Sequence, residues 1–205
     1  VKQPLDAAAV ARALALDDRV IARLTAYLDL LCQWQRRINL VGASTLADPW
    51  RRHILDAAQL NAFMPPGDTE TYDLGSGAGI PGLVLAILGQ RRVTLVDSDE
   101  RKCAFLREAA RLTETDVVIR CQRIETLPPA CADVITARAL KPLPELLALA
   151  TPLLRPGGRC VLLKGAAVDA ELTAAGRAWT MRVDRRPSVS DAAATVLTLR
   201  EIAPR

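Results

Sequence analysis

Aromatic side chains make up only 3% of this 205-residue chain, and it has a single histidine, His53. With so few rings, alanine, leucine and other aliphatic residues must fill the interior, and the apolar share of 50% suffices for a sizeable core. One histidine leaves no material for a multi-histidine metal centre or an elaborate proton relay. The five cysteines, Cys32, Cys103, Cys121, Cys131 and Cys160, form no C-x-x-C pair and have no histidine-rich partner segment. They read as buried or incidental thiols of a reducing compartment, and neither disulfides nor a bound metal is expected. The chain contains no signal peptide, no lipidation pattern and no apolar run long enough to span a bilayer, so a cytoplasmic protein without a membrane partner is expected. The net charge of +4 and pI near 9.0 permit a nucleic-acid partner without demanding one.

What is present divides into two regions. Residues 1–66 read as a helical N-terminal extension. An alanine-rich helix fits 5–16, and Asp18 or a neighbour caps a second whose stripe is Val20, Ile21, Leu24, Tyr27, Leu28, Leu31, Trp34 and Ile38. After the link Asn39-Leu-Val-Gly42, Asp48-Pro49 starts a third helix that stops at Pro65-Pro66-Gly67. From residue 67 to 205 the pattern alternates. Strands are expected at 70–74, 92–97, 116–121, 133–137 and 159–163, and helices at 80–88, 99–112, 142–153 and 168–178. Two closing strands share 179–202 around the loop Pro187-Ser-Val-Ser-Asp191. Short apolar strands alternating with helices imply α/β architecture, a doubly wound, mostly parallel seven-stranded sheet of the Rossmann-like kind.

The chemistry is concentrated in residues 71–85, where a strand ends at Tyr72-Asp73-Leu74 and a turn carries Gly75, Gly77, Gly79 and Gly82 before an apolar helix. Such a turn lets a ligand approach the backbone, and the helix start offers free N–H groups. A second strand ends in Asp97, well placed for two ribose hydroxyls. Gly77-Ala-Gly79-Ile-Pro-Gly82 satisfies G-x-G-x-x-G, so a nicotinamide or flavin dinucleotide is one reading. Asp73 discriminates, because a carboxylate there repels a pyrophosphate but suits the cationic amino-acid tail and sulfonium of S-adenosylmethionine. The plainer alternative gives Asp73 only a turn-stabilising role.

Several segments occur in order: Asn39-Leu-Val-Gly42, Arg52-His-Ile-Leu-Asp56, Asp73 to Gly82, Val96-Asp97-Ser98 with Arg101-Lys102, Arg123-Ile-Glu125, Ala137-Arg138-Ala139 and Leu163-Lys164-Gly165. Over residues 27–165 the chain resembles the small-subunit ribosomal RNA guanine-N7 methyltransferases, once called glucose-inhibited division protein B. The resemblance implies S-adenosylmethionine as donor and a guanine of 16S ribosomal RNA, free or in the small subunit, as acceptor of a methyl group. It places Gly75, Gly77, Gly79 and Ile80 at the donor's amino-acid part, Asp97 near the ribose, Ile124 and Glu125 around the adenine, and Arg138 at the donor site. Ala78 departs from relatives that carry proline there, with little effect expected on the turn. A monomer is expected.

Guanine N7 has a lone pair and no proton, so its methylation needs no general base. The fourth strand ends in Thr136-Ala-Arg138-Ala-Leu140 and lacks the Asn/Asp-Pro-Pro-aromatic run of amino-methylating enzymes. Arg138 reads either as the catalytic contact to guanine O6, phosphate or the donor carboxylate, or as an ion pair with an acid such as Asp73. Lys164 reads as a phosphate contact or a solvated lysine. His53 and Asp56 share a helix face that either shapes the substrate mouth or locks the helix to the sheet. Arg36-Arg37, Arg51-Arg52 and Arg91-Arg92 are RNA-facing or merely solvated, and Trp34, Trp50 and Trp179 read as core anchors. An NAD(P)-dependent oxidoreductase and a non-catalytic RNA- or ribosome-binding protein are the rival readings.

Overall fold

A computed structural model describes residues 3–90 and 92–205, so Arg91 of the expected arginine pairs lies outside the described residues. The sheet has seven strands: β1 (Thr71–Leu74), β2 (Val93–Asp97), β3 (Val118–Cys121), β4 (Ala132–Arg138), β5 (Leu154–Lys164), β6 (Trp179–Pro187) and β7 (Thr195–Pro204). Their order is β3-β2-β1-β4-β5-β7-β6, parallel through β5 and antiparallel where β7 meets β5 and β6. The expected doubly wound sheet is therefore present, closed by one hairpin. The strand order reverses between β1 and β4, and ligands of open α/β sheets bind outside the carboxyl ends at such a switch point.

The N-terminal helices are α1 (Ala7–Leu14) and α2 (Asp18–Gln35), capped by Asp6 and by Asp17, each accepting from the backbone N–H three residues on. On the same side of the sheet lie α4 (Gly82–Ile87) and α5 (Glu100–Leu112). The stripe of α2 buries Leu24, Tyr27, Leu28 and Leu31 in one apolar cluster with Leu83, Val84, Phe105 and Leu106. That cluster holds residues from both sides of the expected boundary at 66–67. The opposite face is covered by α6 (Leu143–Ala150) and α7 (Val168–Ala175), with Leu146, Leu147 and Ala175 in a second cluster. With both faces covered, β1 and β2 are buried along their whole lengths.

Two expectations change. The third helix begins after Asp48 as read, but Trp50–Leu55 forms a wide π turn before α3 (Asp56–Ala58) and the 3-10 turn Gln59–Phe63. The wide turn frees the Arg52 carbonyl for a side chain of β4, and such turns cluster at functional sites. Strand β5 starts at Leu154, ahead of the expected 159: Ala132 faces Leu154 while Val134 faces Arg159, so the residues around Gly157 loop out as a bulge.

The α2 helix reaches the glycine turn directly. The Tyr27 hydroxyl donates to the Ala78 carbonyl at 2.6 Å, and both groups are buried. Burial also holds the phenol well above its ordinary range. Tyr27→Phe leaves that carbonyl unsatisfied, and we expect a loss of about 1–3 kcal/mol in urea-melt stability. The same variant should bind nucleoside ligands more weakly, which calorimetry reads separately.

Candidate functional site

A cavity of about 750 Å³ opens outside the carboxyl ends of β1 and β4, a size suited to a cofactor-sized molecule. Gly75, Ser76, Gly77, Ala78 and Ile80 form one wall. Gly75 has φ +65°, a conformation that side chains rarely adopt, and the Leu140 side chain fills the space where its β-carbon would be. The turn is closed from within by Gly79 N–H donating to the Ser76 carbonyl at 2.7 Å and is held from outside as well. The Ser76 hydroxyl donates to the Asp73 carbonyl at 2.8 Å and accepts from Val96 N–H at 3.1 Å. Gly77 N–H donates to Asp97 Oδ2 at 2.8 Å, and Tyr27 holds Ala78.

Asp73 lies beneath the turn and does not line the cavity among the described residues. Thr136 donates to its Oδ1 at 2.8 Å, while Oδ2 is buried without a hydrogen-bond partner. Burial raises the carboxyl from 3.8 to about 6, with the Thr136 hydroxyl the largest opposing influence. Gly82 is required above it, since a β-carbon there would come within 2.5 Å of the Asp73 Cβ. A carboxylate whose Oδ2 has no close hydrogen bond, eased by Ser76, Gly82 N–H and Arg138 but still raised by burial, disfavours an anion and favours a cation above the cradle.

Asp97 uses both carboxylate oxygens on backbone N–H groups, Oδ2 on Gly77 and Oδ1 on Asp99 at 2.9 Å. Its side chain, expected at a ribose, here ties the turn to β2; each oxygen keeps a second lone pair for a hydroxyl donor. Ile124 and Glu125 form a short 3-10 turn after β3, half-buried and exposed respectively, and neither is among the residues lining this cavity.

Arg138, His53 and Lys164 do line it. Arg138 pairs with Asp56 at 3.2 Å rather than with Asp73, donates from the same nitrogen to the Arg52 carbonyl at 2.9 Å, and approaches His53 Nδ1 at 3.5 Å. The Thr45 hydroxyl donates to the Gly42 carbonyl at 2.6 Å, so its oxygen accepts from His53 Nε2, 3.0 Å away. Nδ1 is then the acceptor facing Arg138. Burial, with the charges of Arg138 and Arg52, lowers the imidazole from 6.5 to about 3 and keeps it neutral. Lys164 is largely buried, pairs with Glu171 at 2.5 Å and donates to the Lys141 carbonyl at 3.1 Å, which leaves its ammonium one further donor toward the cavity.

The segment after Lys164, which carried no readable motif, supplies part of this wall. Ser190 donates to Asp56 Oδ1, Ser188 meets both Ser190 and Gln59, and Asp191 pairs with Arg52 at 2.5 Å. The serines and acid of Pro187-Ser-Val-Ser-Asp191 were a turn signal without an address; only the fold brings them to α3. Of the arginine pairs, Arg51 is bound to Asp48, Arg52 to Asp191 and Arg92 to Glu70.

With this geometry in view, comparisons with known proteins become informative. Residues 20–197 match the model of the GidB family, described as rRNA small subunit methyltransferase G. The chain is 53% identical over 182 residues to ribosomal RNA small subunit methyltransferase G of Paramagnetospirillum magneticum, covering 89% of each. It is 55% identical over 182 residues to the same-named protein of Rhodospirillum rubrum, covering 89% of this chain and 90% of the relative. Among solved structures, a SAM-dependent methyltransferase from Aquifex aeolicus superposes with a TM-score of 0.58 at 19% identity, over 76% of this chain and 95% of that one. The Thermus thermophilus 16S rRNA N2 G1207 methyltransferase, in complex with AdoMet and guanosine, gives a TM-score of 0.54 at 18% identity over 71% of this chain and 38% of that one. At these identities the superpositions establish the fold.

Because His53 is the only histidine, its ring can be read without ambiguity. Nitrogen-15 correlation spectra should show one neutral tautomer, with hydrogen on Nε2, from pH 8 to pH 5. A ring that titrates near 6.5 would contradict the network around it.

Proposed function

The chain belongs to the rRNA small subunit methyltransferase G family, and from that premise we propose that it transfers a methyl group from S-adenosylmethionine to N7 of a guanine in 16S ribosomal RNA, as a cytoplasmic monomer. The observation that carries this reading is the glycine turn lying over the buried, half-partnered carboxylate of Asp73. Its negative charge fits a donor with a cationic amino-acid tail and opposes the pyrophosphate of a dinucleotide, which counts against an oxidoreductase.

S-Adenosylmethionine supplies an electrophilic methyl group when bound. The chain's part is to hold and to exclude. The turn through Gly75, Gly77, Gly79 and Ile80 would present backbone to the amino-acid end, Asp97 would take the ribose hydroxyls, and Ile124 and Glu125 would flank the adenine. Arg138 spends donors on Arg52, Asp56 and His53, and its remaining N–H groups suit guanine O6 or the donor carboxylate. No residue needs to take a proton, because N7 carries none. A neutral, doubly bonded His53 agrees with that requirement and acts as a positioning residue for Arg138. Alignment of nucleophile and methyl is then the main source of rate, an effect of at most roughly 7–11 kcal/mol. Lys164, bound to Glu171, shapes the rim.

Three outcomes follow. Ribosomal RNA treated with the protein and donor should be cleaved at one guanine by borohydride and aniline; protection at every guanine overturns the N7 assignment. Arg138→Lys keeps the charge opposite Asp56 but loses the planar fork. It should lower turnover roughly tenfold to a hundredfold through misplacement, with the melting temperature nearly unchanged.

Asp73 makes donor binding depend on pH with a definite sign. Its folded pKa lies above the unfolded value, so the protonated form is favoured by folding and that stability disappears as pH rises through about 6. A bound cation favours the ionised form. S-Adenosylmethionine affinity, measured by calorimetry, should therefore fall as pH drops below about 6, and Asp73→Asn should be weaker at pH 7.5 and flat across that range.

A further inference from the structure

A second cavity, of about 510 Å³, lies between the C-terminal end of α2 and the first turns of α5. Arg36, Arg37 and Arg101 line it, none of its lining residues is acidic, and Trp34 and Ile38 provide an apolar side. Both Arg36 and Arg37 are exposed, and no ion pair engages them among the described residues. Arg101 meets only Asp99, at 3.5 Å and largely in water, a pair of little energetic weight. Trp34 is half-buried, its ring 5.7 Å from Phe105 between centroids and inclined at 65°, so it is rigidly seated while still facing the cavity. A fixed aromatic ring beside two unpaired guanidinium groups and a third held only by an exposed pair is the chemistry that holds a single-stranded nucleotide, ring on base and cations on phosphate.

Its position adds to this. Arg101 lines the small cavity and the next residue, Lys102, lines the large one. In the same way Ile38 borders the small cavity while Leu40 and Val41 border the large one. The two openings are thus neighbours, separated by the 38–41 link and the first turn of α5. A polynucleotide entering one passes beside the other.

We propose that this second cavity is an RNA subsite that takes a nucleotide flanking the target guanine, its phosphate on Arg36, Arg37 and Arg101 and its base against Trp34. The inference rests on the RNA-methylating function proposed above and assigns part of its specificity to residues outside the methyl-transfer cavity.

The test compares Arg36→Glu/Arg37→Glu with Arg182→Glu/Arg186→Glu, an equal change of charge on the strand at the opposite edge of the sheet. Binding of protein-free 16S ribosomal RNA is followed by filter retention across a salt series, alongside methyl transfer, donor affinity and melting temperature. The α2 pair should bind RNA at least tenfold more weakly, with a salt slope shallower by roughly 0.7 for each phosphate that is no longer neutralised. KM for RNA should rise similarly, with kcat within about twofold and donor affinity unchanged. Arg101→Glu, on the facing helix, should act in the same direction and serves if the double variant is unstable. Equal losses in both double variants mean a general charge effect and overturn the subsite. Unchanged binding by the α2 variants overturns it as well. Weakened binding to intact small subunits alone would assign the cavity to an acidic protein partner and also end the proposal. A wild-type protein that neither binds nor methylates RNA would instead overturn the parent function, which distinguishes the two failures.

Discussion

One guanidinium at the end of β4 joins three stretches of chain that are far apart in sequence. Arg138 is tied to Asp56 and to the Arg52 carbonyl; Asp56 in turn accepts from Ser190, and Gln59 is held by Ser188 and Val189. A half-buried cation of this kind is stable only while its partners are in place, since removing one leaves the other charge desolvated. The cavity wall therefore exists only when the N-terminal segment, the parallel sheet and the closing hairpin have all assembled. The segment ahead of the sheet is a wall of the site, anchored a second time through Tyr27 on the glycine turn.

The same burial that fixes this geometry sets two side chains against each other in acid. His53 is held to about 3 in the folded protein against 6.5 ordinarily, so the unfolded chain takes up a proton first and stability is lost as pH falls below 6.5. Asp73, raised from 3.8 to about 6, does the reverse and adds stability as pH falls through that interval. The two slopes oppose one another over most of the range where carboxylates titrate. At neutral pH only the cost of the ionised Asp73 remains, about 3 kcal/mol from its shift. A fold selected for stability alone would place an amide or an apolar residue there.

Local sequence was a good guide wherever the determinant was local. The spacing Asp73-x-Gly-x-Gly-x-Gly defines a turn because φ, steric room and strand length are properties of consecutive residues, and the structure has that turn at the carboxyl end of β1. Alternation of apolar runs with helical stripes was likewise enough for the sheet and its closing hairpin. What stayed illegible was partnership. The pairing of Lys164 is one case, since nothing nearby in sequence identifies Glu171, on the following helix, as its counter-ion. The paired oxygens of Asp97 depend on how closely the turn packs against β2. Ser190 and Asp191 could not be assigned at all, since their addresses, Asp56 and Arg52, lie at the other end of the chain. The wide turn at Trp50–Leu55 is not legible either, because the Arg52 carbonyl it frees is taken up by the distant Arg138.

These electrostatics also suit the reaction. Methyl transfer from a sulfonium to a neutral base nitrogen creates no net charge; one positive charge moves a few ångströms from donor to acceptor. An environment for such a step should hold its own charges fixed, because any group that titrated or swung during transfer would add reorganisation to the barrier. Several charges that line the cavity are immobilised: Arg138 by Asp56, Lys164 by Glu171, Arg52 by Asp191, with the single imidazole locked neutral between Thr45 and Arg138. Asp73 differs in one respect: it lies below the turn with Oδ1 bonded to Thr136 and Oδ2 without a close hydrogen bond.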